Sequence, residues 1–127
     1  MILKELKFNN KIKLSNRISV SPMCQYSAKD GQPTSWHYRH LGNLVLSGAG
    51  LLMLESTAVC KNGRISKKDL CIETKKQTDK FKILVQNLKK TNNIPIGIQL
   101  SHSGRKGSSH IPWEKKKFTF KILLKSS

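Results

Sequence analysis

The hexapeptide Ser21-Pro22-Met23-Cys24-Gln25-Tyr26 follows directly on the apolar run Ile18-Ser19-Val20, so a strand runs into a proline, a thiol and a phenol. Pro22 removes a backbone donor and stops strand pairing. Beyond it the chain presents a polarisable sulfur beside an amphipathic hydroxyl. Two readings fit this segment alone. Met23 and Cys24 could be strand-end side chains packed as small hydrophobes, or they could line a site that uses soft sulfur chemistry. A second segment, Gly97-Ile98-Gln99-Leu100-Ser101-His102-Ser103-Gly104-Arg105-Lys106, favours the site, because there too a strand ends in a polar cluster. Other eye-catching residues carry less. His37 and His40 form an HxxH pair on a helix, but no carboxylate or further histidine clusters near them in sequence, so no metal is expected. Gly48-Ala49-Gly50 lacks the glycine pattern of a phosphate loop and reads as a helix C-cap with a tight turn. Glu55 fits a base or a strand-end carboxylate held by neighbours, and the roles of His102 and Arg105 are open.

These residues need a scaffold, and the apolar periodicity supplies one. Leu3 to Leu14 reads as two short extended pieces around a turn at Asn9-Asn10. Ile18–Val20 is a strand, and Lys29-Asp30-Gly31-Gln32-Pro33 is a loop. Thr34 or Ser35 caps a helix over Trp36–Ser47 with Leu41, Leu44 and Val45 on one face, and Gly48 ends it. Leu51-Leu52-Met53-Leu54 reads as a strand buried on both faces, and Lys61–Asp69 as a polar connection. Thr74 and Gln77 have capping-box spacing ahead of a helix that carries Phe81, Leu84, Val85 and Leu88 at i, i+3, i+4 and i+7. Asn92-Asn93 closes it, and Ile94–Leu100 is a further strand. Strand, helix, strand, helix, strand implies a parallel sheet with helices packed on it. Met23-Cys24, Glu55-Ser56-Thr57 and Gln99 with His102 all fall at C-terminal strand ends, which is the functional face of such sheets and barrels.

Composition narrows the class. The 127 residues suit one small domain with a single core. A net charge of +17 invites a nucleic-acid or membrane reading. Against that, 20 of the 24 basic residues are lysine, they are spread along the chain, and aromatics make up only 6%. Phosphate and base recognition favours arginine forks and stacking rings, so a solvated lysine surface is the better reading. Cys24, Cys60 and Cys71 are odd in number and form no CxxC pair, which suits a reducing compartment. The N-terminus has no long apolar core, and no run approaches the roughly 20 residues of a membrane span. The expectation is a cytoplasmic chain without membrane association.

Leu14-Ser15-Asn16-Arg17-Ile18 leading to Ser21–Tyr26, then Gly48-Ala49-Gly50-Leu51, Glu55-Ser56-Thr57-Ala58-Val59, Gly63-Arg64-Ile65-Ser66, and Gly97–Leu100 through Gly104-Arg105-Lys106 together resemble the N-terminal part of the Old Yellow Enzyme family. The likeness is to its thermophilic-like class of NADPH dehydrogenases and ene-reductases, over about Leu3 to Trp113-Glu114. The resemblance implies an α/β fold, the N-terminal part of a (β/α)8 TIM barrel. About three strands are expected, preceded by a short β-hairpin, with FMN at the C-terminal mouth. It implies hydride transfer from NAD(P)H to FMN and on to an activated alkene such as an enone. By the same resemblance Ser21, Pro22, Met23 and Cys24 lie against the isoalloxazine ring, with Cys24 tuning flavin redox behaviour. Gln99 would hydrogen-bond the pyrimidine edge, for which an amide offers both donor and acceptor. Tyr26 would face substrate, and Ser56 stands at a flavin contact that is often alanine in the class. Family members form homo-oligomers; the state of this chain is left open.

A barrel of this kind needs about 250 residues. The family's paired histidines that hold the substrate carbonyl, and its later arginine contact to the flavin, have no counterpart among these 127 residues. Residues 1–114 are therefore expected to form an incomplete barrel that binds FMN weakly or not at all and does not turn over alone. Residues 115–127 begin Lys115-Lys116-Lys117 and resemble nothing in the family. Lysine runs are encoded by adenine-rich tracts where reading frames slip, so an out-of-frame tail is expected, against a short variant with a basic tail. A small basic nucleic-acid-binding module and a non-functional remnant of a degraded gene are the alternatives.

Overall fold

The computed structural model describes residues 1–8, 11–107 and 109–114. Strands β1 (Leu6–Phe8) and β2 (Ile12–Leu14) pair antiparallel, with Leu6 opposite Leu14 and Phe8 opposite Ile12. The turn expected at Asn9-Asn10 and the tail 115–127 lie outside the described residues. The chain continues through β3 (Ser19–Val20), α1 (Ser35–Val45), β4 (Leu51–Ala58), β5 (Leu70–Cys71), α2 (Lys75–Thr91) and β6 (Ile96–Ser101).

β4 is the spine of a four-stranded parallel sheet. Leu52 pairs with Val20 on one side and Ile96 on the other, and Thr57 pairs with both Leu70 and Leu100. Thus β3 and β5 share one edge of β4, one at each end, and β6 covers the other edge. The short β5 directly follows the polar connection Lys61–Asp69 and was not among the strands expected from the sequence. It is held by Cys71 N–H donating to the Gly31 carbonyl (2.9 Å) and Ile72 N–H to that of Ala58 (2.9 Å). β4 also runs four residues further than its apolar stretch and carries Glu55-Ser56-Thr57 within its last turn of pleats.

Both helices lie on one face of the sheet. Leu41 and Val45 of α1 and Phe81, Leu84 and Leu88 of α2 pack with Leu52, Leu54 and Leu70 into a single core, joined by the partly buried Ile96 and Ile98. Full burial of side chains such as Leu84 contributes about 1.5–3 kcal/mol each. Leu51 and Met53 are only half-buried, so β4 is covered on one face rather than two. The other face of the described sheet is open. The helix ends follow from their caps. Thr74 N–H donates to Gln77 Oε1 (2.9 Å) and Gln77 N–H to Thr74 Oγ1 (3.3 Å), the reciprocal box expected from the spacing. α1 starts one residue earlier than expected, with Thr34 as its cap, and ends at Val45.

Asn16 fixes the entry into β4. Its Nδ2 donates to the Gly48 carbonyl (2.8 Å), and its Oδ1 accepts from the N–H groups of Ile18 (3.0 Å) and Gly50 (2.9 Å). Gly48 turns the chain at φ +79, and a side chain on Gly50 would collide with the Asn16 backbone. One buried amide therefore locks the α1–β4 turn to the start of β3. Asn16→Ala is expected to lower stability by about 2 kcal/mol, since it orphans the Gly48 carbonyl and the Ile18 N–H, while the Gly50 N–H keeps the Ile18 carbonyl (3.0 Å). A urea midpoint unchanged from the parent would contradict this role.

Candidate functional site

The C-terminal ends of three strands bring together residues that the sequence singles out. Cys24 lies just beyond the end of β3, with its thiol beside the Ser56 backbone. Across the other edge Ser56 pairs with Gln99. Cys24, Ser56 and Gln99 thus form a row across the C-terminal rim of β3, β4 and β6. Ile96 and Ile98 enter the core, so by strand alternation Gln99 points to the open face. Its amide is exposed and has no partner among the described residues. Ser56 Oγ donates to Ser101 Oγ (2.6 Å), which puts both hydroxyls on that same face. Gly97 sits opposite Met53, whose sulfur fills the space a Cβ at Gly97 would need.

The segment after β3 is braced from outside the sheet. The register of β4 against β6 shifts between Leu54 and Ser56, so Glu55 is a bulge residue, and bulges re-aim side chains. Buried Glu55 accepts the Gln25 N–H on Oε2 (3.0 Å) and lies 3.3 Å from His37 Nε2 through Oε1. His37 is fully buried. Its Nδ1 accepts the Thr34 N–H (3.0 Å), which leaves the Nε2 proton directed to the Glu55 side. The Nε2 contact is a close approach rather than a well-directed hydrogen bond. Gln25 Nε2 donates to the Met23 carbonyl (2.9 Å), and its Oε1 accepts from Trp36 Nε1 (3.0 Å). Glu55 and Gln25 together clamp the Met23–Gln25 backbone against α1.

Met23 is 52% exposed and Cys24 half-buried, so the packing of both as core hydrophobes is ruled out. Ser21 is exposed and Pro22 half-buried. Ser21 and Met23 border a gap of about 10 Å³ with His40, Met53 and Glu55, room for no more than one water. Tyr26 adopts φ 49, and its ring meets that of Trp113 edge-on at 5.5 Å. His102 accepts the Gly104 N–H on Nδ1 (3.1 Å) and packs on Gly63, so it joins the β6 loop to the turn at Lys61–Gly63. His37 and His40 do not act as a pair: His40 stacks on Trp36 at 6.2 Å. Among the described residues, no three His, Cys, Asp or Glu side chains gather as a metal site. The Glu55–His37 contact was not evident in the sequence. Its one signal is Thr34-x-x-His37, a capping-box spacing with histidine in the Glu/Gln place.

Burial raises the Cys24 thiol above its ordinary 9.0, and the negative charges of Glu55 and Asp69 push the same way against a backbone hydrogen bond at Ser56. Burial likewise raises Tyr26 above 10.0, with Cys24 adding to it, and Cys71 above 9.0. Each group keeps its proton to higher pH in the folded chain than in the unfolded one. Their stabilisation is therefore intact below pH 9 and is lost as the pH rises through the raised values. Cys24 is thus a neutral thiol at physiological pH. In a chain with Cys60→Ser and Cys71→Ser, iodoacetamide is expected to alkylate Cys24 at pH 8 more slowly than free cysteine. A rate at or above that of free cysteine would show an activated thiolate instead.

The sequence profile of the NADH:flavin oxidoreductase / NADH oxidase family matches residues 2–117. An NADPH dehydrogenase of Geobacillus sp. is 38% identical over 125 residues, covering 91% of this chain and 36% of that protein. An NADH:flavin oxidoreductase of Gibberella zeae is 45% identical over 98 residues, 77% of this chain and 24% of its own length. Among solved structures, Old Yellow Enzyme from Trypanosoma cruzi superposes over 84% of this chain and 28% of its own, at TM-score 0.74 and 26% identity. Morphinone reductase does so at TM-score 0.74 and 24% identity, a likeness of fold. The chain spans about a quarter to a third of the length of these relatives. The open sheet with its two helices is part of a (β/α)8 barrel.

Proposed function

The chain belongs to the NADH:flavin oxidoreductase / NADH oxidase family, and on that premise we propose that its β3, β4 and β6 rim is one wall of an FMN site. The protein it represents would be an NAD(P)H oxidoreductase of the ene-reductase type. The observation that carries this reading is the Cys24–Ser56–Gln99 row on the open face of the sheet. A flat ring system needs a shallow floor with polar groups at one edge. Met53 over Gly97 supplies such a floor, and the unpartnered Gln99 amide supplies such an edge. FMN, when bound, supplies the redox chemistry by accepting a hydride from NAD(P)H and delivering it to the β-carbon of an activated alkene.

The residues have distinct tasks in this reading. Gln99 orients the ring edge. Ser21, Pro22, Met23 and Cys24 form the side wall, and the clamp from Glu55 and Gln25 holds that wall in place. Cys24 remains a neutral, polarisable thiol beside the ring. Ser56, tied to Ser101, is the hydroxyl in the centre of the row. Tyr26, braced on Trp113, borders the substrate side. Three unpaired thiols suit a reducing, cytoplasmic setting, and no described helix is long and apolar enough to cross a membrane. The rival reading as a basic nucleic-acid module gains no support from the family match.

The test is a graft. Residues 2–114 of this chain replace the matching segment of the Geobacillus sp. NADPH dehydrogenase, and anaerobic bleaching of FMN by NADPH is followed by its absorbance. Stoichiometric flavin that bleaches on addition of NADPH is expected. A folded graft without flavin would refute the reading.

A further inference from the structure

A cleft of about 370 Å³ opens beside the flavin rim, between the Lys61–Lys68 loop and the segment 109–114. Lys61, Arg64, Lys67, Lys68 and His110 line it, with Ile111 as its apolar element. Backbone bonds fix the two walls to each other: Ser103 N–H donates to the Gly63 carbonyl (2.8 Å) and Ser109 N–H to that of Ile65 (2.7 Å). Four permanent cations face one lining carboxylate, Glu114, and that group lies 3.7 Å from His110 Nδ1. The nearby acids are engaged elsewhere. Asp69 is spent on the Ser66 N–H and hydroxyl, both at 2.9 Å, and Glu73 accepts the Lys61 backbone N–H rather than its ammonium. Among the described residues, none of the four cations has an ion-pair partner. Concavity concentrates the field of uncompensated charge, so the cleft attracts a compact anion.

We propose that this cleft is a nucleotide phosphate site, and that its ligand is the adenosine 2′-phosphate end of a reduced nicotinamide dinucleotide. The volume lies within the range of small-molecule pockets and is far larger than one phosphate group fills. Arg64 donates through Nε to the Lys61 carbonyl (3.3 Å) and through Nη1 to that of Lys67 (3.4 Å), so it braces the loop and adds its charge. The lysine ammonium groups match a phosphate dianion, and Ile111 and the lysine stems offer apolar surface to an attached adenosine. Its position favours the reductant over the flavin as the source of that phosphate. Barrel enzymes hold the cofactor phosphate in loops after strands 7 and 8, whereas this cleft is built from loops after β4 and β6. Trp113, on the turn that closes the cleft, touches Tyr26 of the flavin rim, so the two sites adjoin. The anion site stands on its own geometry; only the choice of nucleotide rests on the oxidoreductase reading.

Titration of the 127-residue chain with adenosine 2′-phosphate, read by NMR, tests the proposal without any flavin. The amides of Lys61–Lys68 and the His110 ring are expected to shift, with tighter binding than adenosine 5′-phosphate, FMN or inorganic phosphate. Lys67→Gln with Lys68→Gln is expected to weaken binding about 10- to 100-fold. Lys89→Gln with Lys90→Gln on α2 removes the same net charge away from the cleft and is expected to change it less than about twofold. No shift at millimolar ligand, or equal loss in both double variants, would overturn the site. Inorganic phosphate or FMN binding as tightly as adenosine 2′-phosphate would overturn the assigned ligand.

Discussion

Glu55→Ala is expected to destabilise the chain by about 3–5 kcal/mol, a large part of the 5–15 kcal/mol that holds a domain together. The carboxylate is buried and faces two groups at once, the Gln25 N–H and the fully buried His37 ring. Truncation leaves that N–H without its acceptor, at about 1–3 kcal/mol, removes the nearest oxygen to His37, and opens a cavity at the β4 bulge. Glu55→Gln keeps the shape and an acceptor oxygen, so about 1 kcal/mol is expected. Urea unfolding of the two variants measures the difference. Beyond stability, the alanine variant frees the Met23–Gln25 backbone, and Cys24 should become more readily alkylated. Equal midpoints for Glu55→Ala and the parent would show that the clamp contributes nothing.

The second large effect concerns the cofactor. The 127-residue chain by itself is expected to form no stoichiometric yellow complex with FMN at about 100 μM. The described wall then supplies less than about 5.5 kcal/mol of binding free energy. In the proposed site the row Cys24–Ser56–Gln99 would meet only one side of a ring, and binding must also offset the lost translational freedom of the ligand. In the graft the same residues are expected to hold FMN through purification. Gel filtration with absorbance detection compares the two. A yellow 127-residue chain would mean that the wall suffices alone.

Much of this was legible in the sequence, for identifiable reasons. The two helices announce themselves because Thr34 and Thr74 precede apolar stripes at helical spacing; the Thr74 box forms in full, and at Thr34 the His37 ring accepts the Thr34 N–H. The strand-end clusters Ser21–Tyr26 and Gly97–Lys106 point to one face because parallel strands share a direction. β5 was hidden, since Leu70-Cys71 is too short to show alternation and is held by backbone bonds to Gly31 and Ala58. The burial of Glu55 was equally hidden. It depends on a bulge that places the side chain against His37, a residue of a different element that reads from sequence as half of an HxxH pair. Clefts are harder still, because the basic one joins Lys61–Lys68 to His110 across a gap that no local pattern spans.

The central claim is that Gln99, Ser56 and Cys24 face a flavin ring, and Gln99 tests it most directly. In the graft, FMN affinity measured by fluorescence quenching is expected to fall about 10- to 100-fold on Gln99→Ala, and by less than about twofold on Lys89→Ala at the remote end of α2. Unchanged FMN affinity in a folded Gln99→Ala graft would contradict a flavin wall built on this rim.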